Sequence, residues 1–158
     1  MSKKTRGKLP FAEGDWFAVP LTGGGCAVGL VARSPKHGKV LFGYFFGPRI
    51  YELPKLEELK RYSPSNALLV GIFGDYSLYR GEWPVLGCLG AWERTDWPMP
   101  FFSRVDEKGK AVKVKYSDDD PSVCISEVPC SIDEAKSLPE DTMLGSHIVS
   151  GRLSKLLR

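Results

Sequence analysis

Aromatic and aliphatic residues occur along this chain in short blocks that Gly, Asp and Pro interrupt, a pattern typical of strands joined by tight turns. The first three blocks predict a meander, because turn-forming residues separate them at 23–25 and 35–38. These predicted strands are Trp16–Leu21, Cys26–Ala32 and Lys39–Phe46. A fourth apolar run, Asn66–Phe73, is nearly continuous and predicts a central strand that is buried on both faces.

The rest of the chain predicts shorter strands and few helices. Further strands are expected at Tyr76–Tyr79, Val85–Leu89, Phe101–Val105, Ala111–Tyr116 and Val123–Ile125. Pro54–Arg61 predicts a short helix, because Pro begins it and its acidic residues precede its basic ones. Ser131–Lys136 predicts a helical turn, and Ser146–Leu157 predicts an amphipathic C-terminal helix. The pattern therefore predicts an α+β, mainly β fold: an antiparallel twisted sheet or a partly open barrel, with one short internal helix and a C-terminal helix.

The length of 158 residues predicts one domain, which we place at residues 13–158 behind a flexible basic N-terminal arm at residues 1–12. A domain of this size buries about 68–70% of its unfolded surface, so it requires no disulfide or metal. The chain begins without the apolar stretch of a signal peptide, and no apolar run approaches the roughly 20 residues of a membrane span. We therefore expect a cytoplasmic protein with four reduced cysteines.

The net charge of +3 hides an acidic body. Seven basic residues lie in the two terminal segments, and without those seven of the 22 basic residues, 15 remain against 19 acidic ones. The acidic residues are concentrated between residues 118 and 141. Because nucleic acid requires a basic face, this distribution disfavours a nucleic-acid partner and favours a basic protein partner.

The potential nucleophiles and metal ligands of the chain do not form recognisable catalytic or metal-binding motifs. Cys26 follows a run of three glycines, with His37 or His147 as a potential base, but it begins a predicted strand, so no helix N-terminus lowers its pKa. The two His and four Cys lack zinc spacing, and the triplet 118–120 lacks the alternation of a calcium loop. We expect no catalytic residue, no cofactor and no metal.

Two other function classes stay open on the sequence. One is a small hydrolase that uses two carboxylates beside stacking aromatic rings. Its candidate carboxylates are Asp15, Asp75, Glu82, Glu93 and Asp96. The other is a nucleic-acid-binding β module. Its candidate stacking rings are Tyr44, Phe45 and Trp83.

Six blocks together form a more specific combination of motifs. They are Gly14–Leu21, Gly29–Arg33, Gly43–Gly47, Phe73–Leu78, Gly81–Gly87 and Trp97–Pro100. This combination resembles the immunity protein 26 family of bacterial polymorphic toxin and contact-dependent inhibition loci, over roughly residues 13 to 120. The resemblance implies a mostly β cytoplasmic protein that binds and neutralises a cognate toxin domain, and it implies no catalytic residues.

The acidic stretch offers a contact surface for such a toxin. A toxin that is a nuclease has a basic groove, and an acidic surface would imitate phosphate and speed the encounter. The predicted partner-binding residues are Asp118, Asp119, Asp120 and Glu127, with Tyr116 as an aromatic anchor. A merely solvated acidic loop is the alternative interpretation.

Overall fold

The computed structural model of the protein describes residues 8–158. Its strands are β1 (Asp15–Pro20), β2 (Cys26–Arg33), β3 (Val40–Ile50), β4 (Leu69–Gly74), β5 (Val85–Cys88), β6 (Phe102–Val105), β7 (Ala111–Tyr116), β8 (Cys124–Cys130) and β9 (Met143–Leu144). Its α-helices are α1 (Tyr76–Tyr79), α2 (Ile132–Ser137) and α3 (Ser146–Leu156). Short 3-10 helices cover Leu56–Arg61, Pro64–Asn66 and Arg94–Asp96.

The strands form two open sheets. The larger sheet has the strand order β5-β1-β2-β3-β4-β9, in which only the β4–β9 pair is parallel. The smaller sheet has the order β6-β7-β8 and is antiparallel throughout. The predicted mainly β, antiparallel-rich fold with a C-terminal helix is confirmed, and the sheets do not close into a barrel.

The larger sheet carries a hydrophobic core on each of its faces. Successive side chains of a strand point to opposite faces, so the neighbours Trp16 and Phe17 enter different cores. Phe45 and Phe46 of β3 divide in the same way. Helix α3 covers the first face with Val149 and Leu153, and β6 contributes to the second face. The aromatic doublets of the sequence therefore mark a sheet that is packed on both sides.

Strand β2 is buried along its whole length, whereas the predicted run 66–73 is buried on both faces only near its end, where Ile72 and Phe73 enter different cores. All eight residues of β2 are buried, whereas Leu69 and Val70 of β4 are only partly buried. The reason is position: β2 lies in the middle of the sheet, and β4 has only the two-residue β9 on its outer side. Asn66 belongs to a 3-10 helix, so β4 begins later than predicted.

The predicted strand Tyr76–Tyr79 is wrong, because these residues form the single helical turn α1. The amide N–H of Tyr79 donates to the Asp75 carbonyl oxygen at 2.8 Å. Ser77 and Leu78 are buried, while Tyr76 and Tyr79 are exposed. Two exposed residues that are three positions apart lie on one face of a helix, whereas in a strand they would lie on opposite faces.

Three other elements differ from their predictions in type or by several residues. Strand β3 continues to Ile50, beyond the predicted end at Phe46. The predicted helix Pro54–Arg61 is a 3-10 helix that begins at Leu56. Strand β8 continues to Cys130, beyond the predicted end at Ile125, although most of its residues are exposed. An exposed strand lacks the apolar run from which strands are recognised.

Residues 1–7 of the predicted arm lie outside the described residues. Within the rest of that arm, Phe11 is buried and belongs to the first core. The division of the chain at residue 12 stays a prediction. Among the helices of residues 8–158, none has the length and apolar character required to cross a membrane.

Two glycine variants test the packing of the first core. We expect Gly29→Ala to lower the free energy of unfolding by about 1–3 kcal/mol, because a Cβ there would overlap the Phe17 ring. Gly151→Ala in α3 is the matched control: apart from the adjacent residues and the backbone of its own helix, no atom lies within 4 Å of its Cβ position. This control should raise the free energy of unfolding by roughly 0.5–1 kcal/mol. Urea unfolding measures both, and equal effects would contradict the packing described here.

Candidate functional site

The chain between β5 and β6, residues 89–98, crosses the second core at the surface. It contains the 3-10 turn Arg94–Asp96 and places Trp92 directly over the backbone of Gly14. Gly14 has a φ of 95°, and a Cβ there would lie 2.9 Å from Cγ of Trp92. Only glycine combines this backbone conformation with so close an approach, so Gly14 and Trp92 are adapted to each other.

Aromatic contacts hold the second half of this segment. The Trp97 ring contacts Trp16 edge-on, with centroids 5.7 Å apart, and Tyr44 with centroids 5.2 Å apart. The Tyr44 hydroxyl donates a hydrogen bond to the Pro98 carbonyl. Burial raises the pKa of Tyr44 to about 12, so its hydroxyl stays protonated and able to donate at neutral pH. The segment is therefore anchored by fixed rings.

A recess of about 230 Å³ opens beside these rings, and we call it the aromatic recess. Its aromatic lining residues are Trp16, Tyr62, Trp92 and Trp97. Its charged lining residues are Glu93, Asp96 and Lys60, all of which are exposed. The recess thus combines aromatic walls with Glu93 and Asp96, two of the five candidate carboxylates of the hydrolase alternative, and it contains none of the predicted partner-binding residues.

Next to the recess, Arg94 organises an ionic network. Its guanidinium donates to both carboxylate oxygens of Glu13, at 2.9 and 3.0 Å, and to Asp119 at 2.9 Å. The hydrogen bonds to Glu13, followed by those to Asp119, raise the pKa of Arg94. Glu13 also accepts the indole N–H of Trp92 at 2.8 Å. The network therefore joins the recess to the acidic loop, residues 117–122.

The first predicted contact residue, Asp118, holds a nearly buried arginine. Arg33 at the end of β2 is 3% exposed, and its Nε donates to Asp118 at 2.7 Å. The same guanidinium also donates to the carbonyl oxygens of Ala32 and Arg94. A buried guanidinium requires a partner for its charge, so Asp118 has a structural role here.

The remaining predicted contact residues lie in two places. Asp119 is 90% exposed although it pairs with Arg94, and Asp120 is partly buried and accepts two hydrogen bonds from Ser122. Glu127 lies apart from these acids, where it pairs with Arg104 at 2.7 Å. Tyr116 donates to Asp141, and burial, followed by this hydrogen bond, raises the pKa of Tyr116. Three of the four predicted acidic contacts, Asp118, Asp119 and Glu127, are therefore paired with arginines.

Strand β8, which carries Glu127, is an edge strand of the smaller sheet. It exposes Ile125 and Val128, and a regular edge strand of this kind pairs readily with another chain. However, the β7–β8 register shifts between Lys115 and Tyr116, and Pro129 lacks an N–H. Both features protect sheet edges against further strands, so this edge is poorly suited to strand addition.

The carboxylates of the hydrolase alternative do not gather in one place. Asp75 is 3% exposed and accepts the backbone N–H of Lys39, while Asp15 accepts that of Ala12. Burial raises the pKa of Asp15. Glu82 accepts a hydrogen bond from Ser77. Of the five candidates, only Glu93 and Asp96 line a common cavity.

The candidate thiol nucleophile, Cys26, is buried, and burial raises its pKa, which disfavours the reactive thiolate. Between residues 8 and 158, no three His, Cys, Asp or Glu side chains are grouped as metal ligands would be. The part of the chain that the structure describes therefore presents no assembled thiol or metal centre.

The sequence model of the immunity protein 26 family matches residues 12–113, which is more than half of the chain. The chain belongs to the immunity protein 26 family. No match was found among the curated proteins or among the solved structures.

The immunity protein 26 match covers the larger sheet except β9, together with segment 89–98 and β6. All residues that line the aromatic recess lie inside it. The acidic loop, β8 and the helices α2 and α3 lie outside it. The recess is thus built on the part of the chain that matches the immunity protein 26 family, and the acidic loop is contributed by the part beyond it.

Proposed function

We propose that this protein binds and neutralises a cognate bacterial toxin domain by docking, without catalysis. Membership of the immunity protein 26 family is the observation that carries the proposal. The family implies a toxin from a polymorphic toxin or contact-dependent inhibition system and a cytoplasmic site of action. The burial of Cys26 agrees with a scaffold that acts by binding, and three of the five candidate carboxylates lie outside the aromatic recess.

The proposed contact surface consists of the acidic loop, residues 117–122, and the adjoining aromatic recess. The network of Arg94 with Glu13 and Asp119 connects the two. Within the loop, Asp119 is the acid most accessible to a partner, because Asp118 is committed to Arg33. We keep Asp118, Asp120, Glu127 and Tyr116 as proposed contacts, with Glu127 and Tyr116 at the periphery.

The proposed partner is a toxin domain with a basic groove, such as a nuclease. A carboxylate at the surface attracts such a groove over long range and fixes the register of docking. Contacts of this kind change the association rate and its salt dependence more than they change the dissociation rate.

We expect the gene of the toxin domain to lie directly upstream, and the experiment that tests the proposal is co-expression of the two proteins. We expect the two proteins to co-purify as a stable complex and expect co-expression to protect cells from the toxin. Failure of the purified proteins to associate would contradict the proposal, and so would protection that continues without any complex.

Charge reversal at Asp119 tests the proposed surface. We expect Asp119→Lys to weaken toxin binding by about 10- to 100-fold and to reduce its salt dependence, since the side chain is 90% exposed and faces a basic partner. Glu107→Lys, in the exposed turn between β6 and β7, is the charge-matched control. Association rates at several salt concentrations measure both variants, and equal behaviour of the two would contradict the proposed surface.

A further inference from the structure

The size of the aromatic recess fits one anchoring side chain. Its volume of about 230 Å³ is below the roughly 300–1,000 Å³ of sites that enclose cofactors and drug-sized ligands. Interfaces between proteins concentrate their binding energy in a few side chains that fill pockets of this kind. The recess is therefore better suited to a side chain from a partner than to a small-molecule substrate.

Its walls are fixed before any partner arrives. The indole N–H of Trp92 is held by Glu13, and the Trp97 ring is held between Trp16 and Tyr44. Rings that such contacts already hold in place lose less conformational freedom on binding than free side chains, which favours affinity. The faces of indole rings also attract cations more strongly than those of other aromatic side chains.

The charged residues at the recess indicate which kind of side chain it can bind. Glu93 and Asp96 are exposed and form no ion pair with any residue of 8–158, in contrast to the engaged carboxylate of Glu13. Lys60 is the one cation among the described lining residues. Arg61 already lies over the Tyr62 ring at 4.9 Å, while within residues 8–158 no cation lies over Trp92 or Trp97. Two carboxylates beside two such indoles complement a positive charge.

We propose that the aromatic recess accepts an arginine side chain of the toxin domain. This inference rests on the proposed function and specifies its anchor. Arginine is favoured over lysine because its planar guanidinium stacks on aromatic rings and donates two parallel hydrogen bonds to a carboxylate. Arginine is also enriched among the residues that dominate the energy of interfaces.

The decisive variant is Glu93→Gln combined with Asp96→Asn, which removes both charges from exposed positions and leaves the packed rings intact. We expect it to weaken toxin binding by about 10- to 100-fold. The matched control is Glu52→Gln combined with Glu107→Gln, which removes two exposed charges away from the recess and should leave the affinity unchanged. Isothermal titration with the toxin domain measures both.

A second measurement requires no toxin. Arginine methyl ester is titrated into the labelled protein while the indole N–H signals of Trp92 and Trp97 are followed by NMR. We expect these signals to shift with arginine methyl ester and not with citrulline methyl ester, a neutral analogue of the same shape. The shifts should be lost in the double variant and kept in the control.

The outcomes separate the two proposals. A stable toxin complex whose affinity is unchanged in the Glu93→Gln, Asp96→Asn variant overturns the arginine anchor and leaves the proposed function standing. The arginine anchor is also overturned by equal shifts with citrulline methyl ester or by no shift with arginine methyl ester. Shifts with cellobiose instead, a disaccharide probe for the hydrolase alternative, overturn it as well. Arginine-specific shifts in a protein that binds no toxin would overturn the proposed function and the toxin as the source of the arginine, while the recess itself would still be an arginine site.

Discussion

Phe17→Ala is expected to lower the free energy of unfolding by about 3–5 kcal/mol. Phe17 is fully buried, and its ring stacks on Trp83 with centroids 5.5 Å apart and contacts Phe45 and Phe73. The backbone of Gly29 packs directly against the same ring. Because Gly29 lies in the central strand β2, this backbone cannot easily move into the cavity that the Ala variant would leave. The loss should therefore lie in the upper part of the range for large-to-small substitutions in cores.

Urea unfolding at low temperature measures this loss, since a typical domain has only about 5–15 kcal/mol of stability in total. Tyr51→Ala is the matched control, because Tyr51 is 76% exposed. We expect the control to change the free energy of unfolding by no more than about 0.5 kcal/mol. Similar losses in the two variants would show that Phe17 does not occupy the centre of the first core.

Asp118→Ala is expected to lower the free energy of unfolding by about 1.5–3 kcal/mol, the cost of losing a hydrogen bond to a charged group. Arg33 is 3% exposed, and Asp118 is its carboxylate partner at 2.7 Å. Without it, the guanidinium keeps only the carbonyl oxygens of Ala32 and Arg94. Because Asp118 itself is half exposed, water can replace part of the interaction, and the loss should stay below that of a fully buried pair.

Asp119→Ala is the control for this effect, since it removes the neighbouring carboxylate from a pair that is largely solvent-exposed. Exposed ion pairs contribute at most about 1 kcal/mol, so its effect on unfolding should be small. The expected contrast is that Asp118 matters for stability and Asp119 for toxin binding. Equal losses of stability at both positions would contradict the structural role assigned to Asp118.

The strands and their order of appearance could largely be predicted from local pattern. Glycines and prolines mark the turns between β1, β2 and β3, and the aromatic doublets of β1 and β3 supply both cores. The clearest failures were at Tyr76–Tyr79, at β8 and at β9, which no pattern predicted. Four residues are too few to distinguish a helical turn from a strand, and an exposed strand carries no apolar run.

The candidate site could be predicted less well than the fold, because its contacts join distant parts of the chain. Arg33 and Asp118 are 85 positions apart, and Glu13 and Arg94 are 81 apart. Counting charged residues along the sequence reveals the excess of acidic residues but cannot identify their basic partners. The net negative charge of the loop was therefore overestimated. The aromatic recess was missed for the same reason: Trp16, Tyr62 and Trp97 meet only after the sheet has formed.

The most direct test of docking without catalysis is to titrate the activity of the purified toxin domain with this protein. If the protein inhibits by binding, toxin activity should fall in proportion to the amount of protein added and vanish at a fixed stoichiometric ratio. Denaturation of the complex followed by refolding should return intact and active toxin. Complete inactivation at amounts far below one molar equivalent, or recovery of a covalently altered toxin, would contradict the account.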